Sequence, residues 1–237
     1  MQSHDPSKRI LGIFLFTAGL LLGTLLTAAL TWASLEATFY GFQRLPGDSF
    51  DGLTCPALMT PHETGTILVE IRNSSNKIID PIIRIDVSTR GVPDSQQALL
   101  TLQPGEAGKF ERTITAENID LRTFIFAKAY RYPAYPLPNA EATCGIFVLD
   151  LPILNGKQLF YLWLVLSLVL VPSGLWMWSS SLRPESAGRM INAAKMLAVL
   201  VLFGLLVSIK GVWMMGLLSL AVILLMSVAM LRFVSTK

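Results

Sequence analysis

The chain has 237 residues, a formal net charge of +3 and charged side chains at only 15% of its positions, and its mean hydropathy is +0.55. Soluble domains carry about 25% charged residues, so these values exclude an ordinary soluble enzyme and a disordered tail. The small net charge also gives no indication of nucleic-acid binding.

Four apolar segments are long enough for transmembrane helices, because a hydrocarbon core about 30 Å thick needs roughly 20 helical residues. These segments are 10–33, 159–178, 190–209 and 211–231. The third contains Lys195, whose long side chain reaches the headgroups when the helix starts near Met190. None of the four contains Asp, Glu or His, which disfavours a proton- or sodium-coupled transporter.

The distribution of basic residues predicts the orientation, since short flanks rich in Lys and Arg stay in the cytoplasm. The flanks 1–9, 179–189 and 232–237 and the adjoining helix ends hold most of the cations outside 34–158: Lys8, Arg9, Arg183, Arg189, Lys195, Arg232 and Lys237. Both termini are therefore expected in the cytoplasm of a bacterial cell, and 34–158 outside its plasma (inner) membrane. Cleavage of the first segment after Thr31-Trp32-Ala33 is the alternative to an anchor, but a signal peptide has a shorter apolar region of about 7–15 residues.

Residues 34–158 are predicted to form an antiparallel β-sandwich inserted between helices 1 and 2. Ile67, Val69 and Ile71 alternate with other residues, as do Ile83, Ile85 and Val87, which is typical of half-buried strands. Further strands are expected over 110–114, 124–130 and 145–149, with turns at 73–76, 91–94 and 103–106. Short strands separated by such turns favour an immunoglobulin-like (Ig-like) sandwich.

Two stretches of this segment, TILVEIRNSSNKIIDPIIRIDVSTRG and LLTLQPGEAGKFERTIT, resemble the Ig-like adhesion modules of bacterial surface proteins, of the CARDB-like kind. In those modules a strand ends in Asn and a small residue, and a later L-x-P-G-E turn precedes the next strand. The resemblance implies the fold of this segment and no particular activity.

The two cysteines, Cys55 and Cys144, both lie in the predicted extracytoplasmic segment. An even number of cysteines on the oxidising side of the membrane predicts one disulfide. A redox or metal pair is the alternative, but the chain has no C-x-x-C, and the histidine of this segment is His62. Because metal sites draw on several ligands, no metal, cofactor or catalytic residue is predicted.

One loop and two features of the helices are candidate functional elements. Tyrosine and proline are concentrated at 130–138, and an amphipathic ring on a stiff backbone suits recognition. The candidate partner-binding residues there are Tyr130, Arg131, Tyr132 and Tyr135. A stiff connection packed on its own domain is the alternative.

Helix 1 carries small residues on one face, which allow close approach of another helix of this chain or of another subunit. They are Gly12, Gly19, Gly23 and Thr27. Pro172 predicts a kink or break in helix 2, which is either a moving element or a tolerated bend.

We therefore expect a non-enzymatic accessory or scaffold subunit that presents an Ig-like domain outside the membrane. Its expected partners are the bilayer and other membrane or extracytoplasmic proteins, or a glycan, but no nucleic acid. A membrane sensor or transport component with a ligand-binding β domain is the alternative. An enzyme would have to use scattered carboxylates such as Glu63, Asp80 and Asp86.

Overall fold

The computed structural model describes residues 6–43, 48–181 and 184–235. The chain divides into a helical unit, Met1–Thr31 with Phe160–Lys237, and a β unit, Trp32–Leu159. Parts of the predicted cytoplasmic segments, with Arg183 and Lys237 among their cations, lie outside the described residues.

Helices account for both ends of the chain: α1 (Pro6–Phe39), α2 (Gly156–Ser180), α3 (Pro184–Ile209) and α4 (Trp213–Ser235). Each contains a stretch that is long and apolar enough to cross a membrane by length and composition. The first two begin and end outside the predicted spans 10–33 and 159–178. The fourth begins after Gly211 rather than at it, because Gly211 has a φ of +73° and forms the turn from α3.

The helical unit packs through apolar side chains and through hydroxyls that bond across helices. Its buried apolar residues include Leu26, Leu30, Ala194, Leu197, Val201, Leu205 and Ile223. The hydroxyls of Thr31 and Ser208 lie 2.8 Å apart, and Ser167 donates to the Gly19 carbonyl at 3.1 Å. Lipid tails are as apolar as the side chains, so burial between helices in a bilayer yields little hydrophobic free energy. Hydrogen bonds and close packing of this kind then hold the helices together.

The β unit contains β1 (Asp48–Ser49), β2 (Leu53–Thr54), β3 (Leu58–Met59), β4 (Gly65–Arg72), β5 (Ile82–Val87), β6 (Asp94–Leu99), β7 (Ala107–Ile114), β8 (Phe124–Arg131) and β9 (Ala140–Val148). They form a six-stranded sheet in the order β1-β9-β8-β5-β6, with β3 also beside β9, and a three-stranded sheet in the order β2-β4-β7. The predicted two-sheet β domain is confirmed. The expectation of purely antiparallel pairing is wrong, since β1 and β3 run parallel to β9. Strands of two residues are too short to show an alternation in the sequence.

The apolar faces of the two sheets form one core. Ile67, Val69 and Ile71 of β4 pack in the same buried cluster as the predicted face of β5, which is Ile83, Ile85 and Val87. The Cys55–Cys144 disulfide joins residues 89 positions apart, and closing such a loop stabilises a domain by roughly 4 kcal/mol in the chain-entropy description. Gly105 supplies the φ of +80° that the predicted Pro104-Gly105 turn requires.

The last two turns of α1 belong to the β unit, so the predicted domain start at residue 34 lies inside a helix. Ala33 and Ala37 are buried against Phe124 and Phe126 of β8. The Ala33 carbonyl lies so close to Gly145 of β9 that any side chain there would collide with it. The end of the helix thus covers part of the six-stranded sheet.

Strand directions define two ends of the β unit. At the base end, β9 finishes and leads into α2, and this end holds the loops 60–64, 88–93, 115–123 and 149–155. The distal end holds the loops 73–81, 100–106 and 132–139. The two ends carry different side chains.

Candidate functional site

Two neighbouring rows of polar residues cross the outer face of the six-stranded sheet. The strand register gives one row of Ser95, Asp86, Lys128 and Thr143 and a second row of Gln97, Arg84, Tyr130 and Glu141. The residues between them in β5 and β8 point into the core. The period-2 alternation of a strand therefore places both rows on the opposite face.

The β5 half of these rows is centred on Asp86, whose side chain is 2% exposed. Its Oδ1 accepts hydrogen bonds from Arg84 Nε and Ser95 Oγ, each at 2.6 Å. Arg84 Nη1 also donates to Gln43 Oε1 at 3.4 Å. The hydrogen bond to Asp86 raises the pKa of Arg84, so the guanidinium stays charged beside the buried carboxylate.

The β8 half is centred on Lys128, whose side chain is 5% exposed and whose Nζ lies 2.8 Å from Glu141 Oε2. This Nζ is also 5.0 Å from the ring centroid of Tyr130, and Arg84 approaches the same ring at 5.7 Å. Burial, followed by the charges of Asp86 and Glu141, raises the pKa of Tyr130. The Tyr130 hydroxyl is buried without a hydrogen-bond partner among the described residues.

The end of α1 and the segment after it cover these rows. The rings of Tyr40 and Phe42 contact each other at a tilt of 58°, with their centroids 4.6 Å apart, and Tyr40 Oη donates to Asp120 Oδ2 at 2.6 Å. Burial and this hydrogen bond to Asp120 raise the pKa of Tyr40. A cavity of about 240 Å³ remains, lined by Thr38, Phe39, Lys128, Glu141, Ala142 and Thr143. Because Lys128 and Glu141 already pair, its wall suits a small neutral or zwitterionic molecule.

The four residues of the predicted partner-binding loop lie in different environments. Tyr130 lies at the junction of the predicted strand 124–130 and the candidate loop, and the structure places both Tyr130 and Arg131 in β8, with the Tyr130 ring buried. Arg131 is held by the Pro138 carbonyl, which accepts from its Nε and Nη2 at 3.2 and 3.0 Å, and burial lowers the pKa of Arg131. Tyr132 is half-buried. Tyr135, beside a cis Tyr135-Pro136 bond, is 86% exposed.

Tyr135 is one of several exposed apolar side chains at the distal end. We call this group the distal patch: Ile78, Ile82, Leu99 and Tyr135. Ile82 pairs with Leu99 across β5 and β6, and Lys77, next to Ile78, lies 5.8 Å from the Tyr135 ring. The three aliphatic members lie outside the predicted partner-binding loop, although an exposed Ile82 follows from its place beside the inward Ile83.

The other candidate residues of the β unit do not form a reactive group. His62 Nε2 lies 3.2 Å from Asp150 Oδ1 on the exposed surface. Glu63 lies in a base loop, Asp80 in a distal loop and Asp86 in β5, so the three carboxylates are not brought together. Within the described residues, no three His, Cys, Asp or Glu side chains are grouped so that they could hold a metal ion.

The small-residue face of α1 contacts helices of the same chain. A side chain at Gly12 would meet the Trp178 backbone of α2, and one at Gly19 would meet Leu170 and Val171. Gly23 faces Ser167 and Val201, while Thr27 lies against Gly204. Pro172 does not end α2, which runs without interruption from Gly156 to Ser180.

Comparisons with known proteins give matches over the β region only. No family model matches the chain, and no match is found among curated proteins. A CARDB domain from Pyrococcus furiosus, solved in complex with di-metal ions, is similar at 13% identity, with a TM-score of 0.34, over 44% of this chain and 99% of that one. This match falls on the segment for which the sequence predicted such a module.

Two enzymes of carbohydrate chemistry are similar over the same region. A β-glucosidase from Listeria innocua, solved with glucose, matches at 12% identity over 46% of this chain and 17% of its own, with a TM-score of 0.31. A cycloisomaltooligosaccharide glucanotransferase from Paenibacillus sp. matches at 16% identity over 44% and 14%, with a TM-score of 0.33. Similarity this low carries no information about the activity of the present chain.

Proposed function

We propose that this protein is a non-enzymatic accessory subunit of a bacterial plasma membrane, which docks a partner protein through the distal patch. The observation that carries the proposal is the patch itself. Contiguous exposed apolar side chains on a folded domain mark interaction sites, and Tyr135 is 86% exposed. Tyrosine and aliphatic residues are also the groups that become buried at the centre of protein interfaces.

The location of the domain outside the cell is part of the proposal. Its support is the Cys55–Cys144 disulfide, since disulfides persist in oxidising compartments. The basic flanks of the predicted spans also favour cytoplasmic termini.

Gentle extraction of the full chain followed by native mass spectrometry tests the docking role. We expect a stoichiometric complex that is lost when Leu99 and Tyr135 are both replaced by Ser. The matched control is Val92→Ser, which removes an equally exposed apolar side chain (85%) from the base end. A chain that is always a lone monomer, or a complex that the distal substitutions leave intact, would contradict the proposal.

The second candidate function, ligand sensing, has one observation in its favour. The cavity of about 240 Å³ beside Lys128 has room for a small polar molecule, since one water occupies about 30 Å³. A sensor would bind such a molecule whether or not the distal patch is altered.

A further inference from the structure

Four exposed apolar side chains lie in the loops of the base end. They are Val92, Leu121, Leu151 and Ile153, and Ile153 is 90% exposed. Three loops contribute them: the β5–β6 connection, the turn before β8 and the link from β9 to α2. Lone exposed apolar residues need no explanation, but a group of them at one end of a domain indicates a surface that contacts something.

The backbone of the turn before β8 holds Leu121 outward. Leu121 and Arg122 have φ values of +46° and +70°, a conformation that favours Gly or Asn over a branched side chain. Asp120 and Phe124 close the turn with hydrogen bonds of 2.8 and 3.1 Å between their backbones. The Thr123 carbonyl accepts from Val148 N at 2.8 Å, which fixes the turn beside the end of β9.

The base loops carry more carboxylates than cations. Their two arginines are Arg90 and Arg122, and their carboxylates are Glu63, Glu117, Asp120 and Asp150. Asp120 accepts from Tyr40, and Asp150 lies against His62. Attraction to anionic headgroups therefore does not favour this end, and its exposed apolar tips are the groups that suit the interface of a bilayer.

Chain connectivity brings the base loops to that interface. Helix α2 has 25 residues, about 37 Å at 1.5 Å per residue, which is longer than a hydrocarbon core of about 30 Å. Its first residue, Gly156, would therefore lie among the headgroups. Ile153 precedes Gly156 by three residues, a distance of at most about 11 Å along an extended chain.

We propose that the base loops bind the lipid surface, with Leu121 and Ile153 inserted among the headgroups. The inference rests on the proposed membrane anchoring. It adds a second attachment of the β unit to the bilayer, besides the helices. With the base end on the membrane, the distal patch at the other end of the β unit is free for a partner.

Fluorescent labels on the full chain in vesicles of phosphatidylcholine and phosphatidylglycerol test this inference. Both native cysteines are in the disulfide, so an introduced cysteine is the free thiol that accepts the probe. The label is placed at Leu121→Cys or Ile153→Cys, and the matched control is Ile78→Cys, which is as exposed as Leu121 (56% each) but lies at the distal end. Leu218→Cys, on an exposed face of α4, reports membrane insertion of the helices.

Lipids that carry a quencher near the headgroup should quench the label at positions 121 and 153 and not at 78. Leu121→Asn suits the positive φ, so it should keep the turn intact while it lowers the quenching at position 153.

The labels separate the two ways in which the inference can fail. If a deep quencher reaches position 218 while positions 121 and 153 behave like 78, the helices are inserted and the base-loop contact is refuted. If position 218 is not quenched, the proposed membrane anchoring itself is refuted. Equal quenching at 121, 153 and 78 would also overturn the inference, because contact would then not be specific to the base end.

Discussion

The helical unit and the β unit bury their polar side chains in different ways. The buried polar residues described in the helical unit all carry hydroxyls: Thr27, Thr31, Ser167, Ser208 and Ser219. The β unit also buries hydroxyls and amides, but in addition it buries charged groups, with Asp86 and Lys128 almost inaccessible to solvent.

Geometry explains the difference. A hydroxyl on a helix can bond a carbonyl of its own preceding turn, as Thr27 does with Gly23 at 2.9 Å, so it needs no partner of opposite charge. Side chains on one face of a sheet stand in fixed rows, and a charge there can be matched by its cross-strand neighbours. Removal of one buried group should therefore cost more in the β unit than in the helical unit.

The largest effect is expected for Asp86→Ala, which leaves Arg84 without its carboxylate partner. Loss of one member of a buried ion pair costs about 3–5 kcal/mol, and we expect the lower end because Arg84 is 21% exposed. The free energy of unfolding from hydrogen exchange of β8 in the full chain measures this. The control is Glu70→Ala, whose partner Lys109 lies 3.9 Å away on the surface, with an expected cost below about 1 kcal/mol. Equal losses for both variants would contradict the special role of the buried pair.

A smaller effect is expected for Gly12→Ala in the helical unit. The new methyl group would lie 2.6 Å from the Trp178 backbone nitrogen, and overpacking of this kind costs about 1–3 kcal/mol. Gly188→Ala is the control, because no described atom lies within 4 Å of its Cβ position. Unfolding by denaturing detergent, followed by far-ultraviolet circular dichroism, should show a loss for Gly12→Ala alone. Unchanged stability of Gly12→Ala would show that α1 and α2 can separate without loss.

The smallest effect is a gain in stability from Tyr130→Phe. This change removes a buried hydroxyl that has no hydrogen-bond partner in the described part of the chain, and it keeps the ring that faces Lys128, so we expect a gain of about 1 kcal/mol. Since the pKa of Tyr130 is raised in the folded chain, the stabilisation by its neutral form is complete below pH 10 and is lost as the pH rises further. The variant should therefore also lose less stability above pH 10, as measured by denaturant titrations on both sides of that pH. Tyr135→Phe, at an exposed position, should change neither quantity, and a destabilised Tyr130→Phe would refute the expectation.

Local patterns were sufficient for the elements that repeat regularly. The run from Ile10 to Ala33 predicted a helix because it is uniformly apolar, and Ile83, Ile85 and Val87 predicted the inward face of β5 because strands alternate. The disulfide followed from the number of cysteines and their compartment. The site was harder to predict from the sequence. Lys128 stands in an otherwise apolar run, and its partner Glu141 lies in another strand, 13 positions later. The candidate loop included Tyr130 because prolines follow it closely, although pairing with the neighbouring strands keeps Tyr130 in β8.

Composition and periodicity act over neighbouring residues, so the amino-acid sequence specified the division into apolar helices and a β segment, the inward faces of the long strands and the single disulfide. The continuation of α1 onto the sheet, the burial of Asp86 and Lys128 in their rows, and the exposed apolar side chains at the distal and the base end became evident only from the tertiary structure. Those features depend on strand register and on which loops share an end of the sandwich. Register joins residues that are far apart in the chain, so no local pattern specifies it.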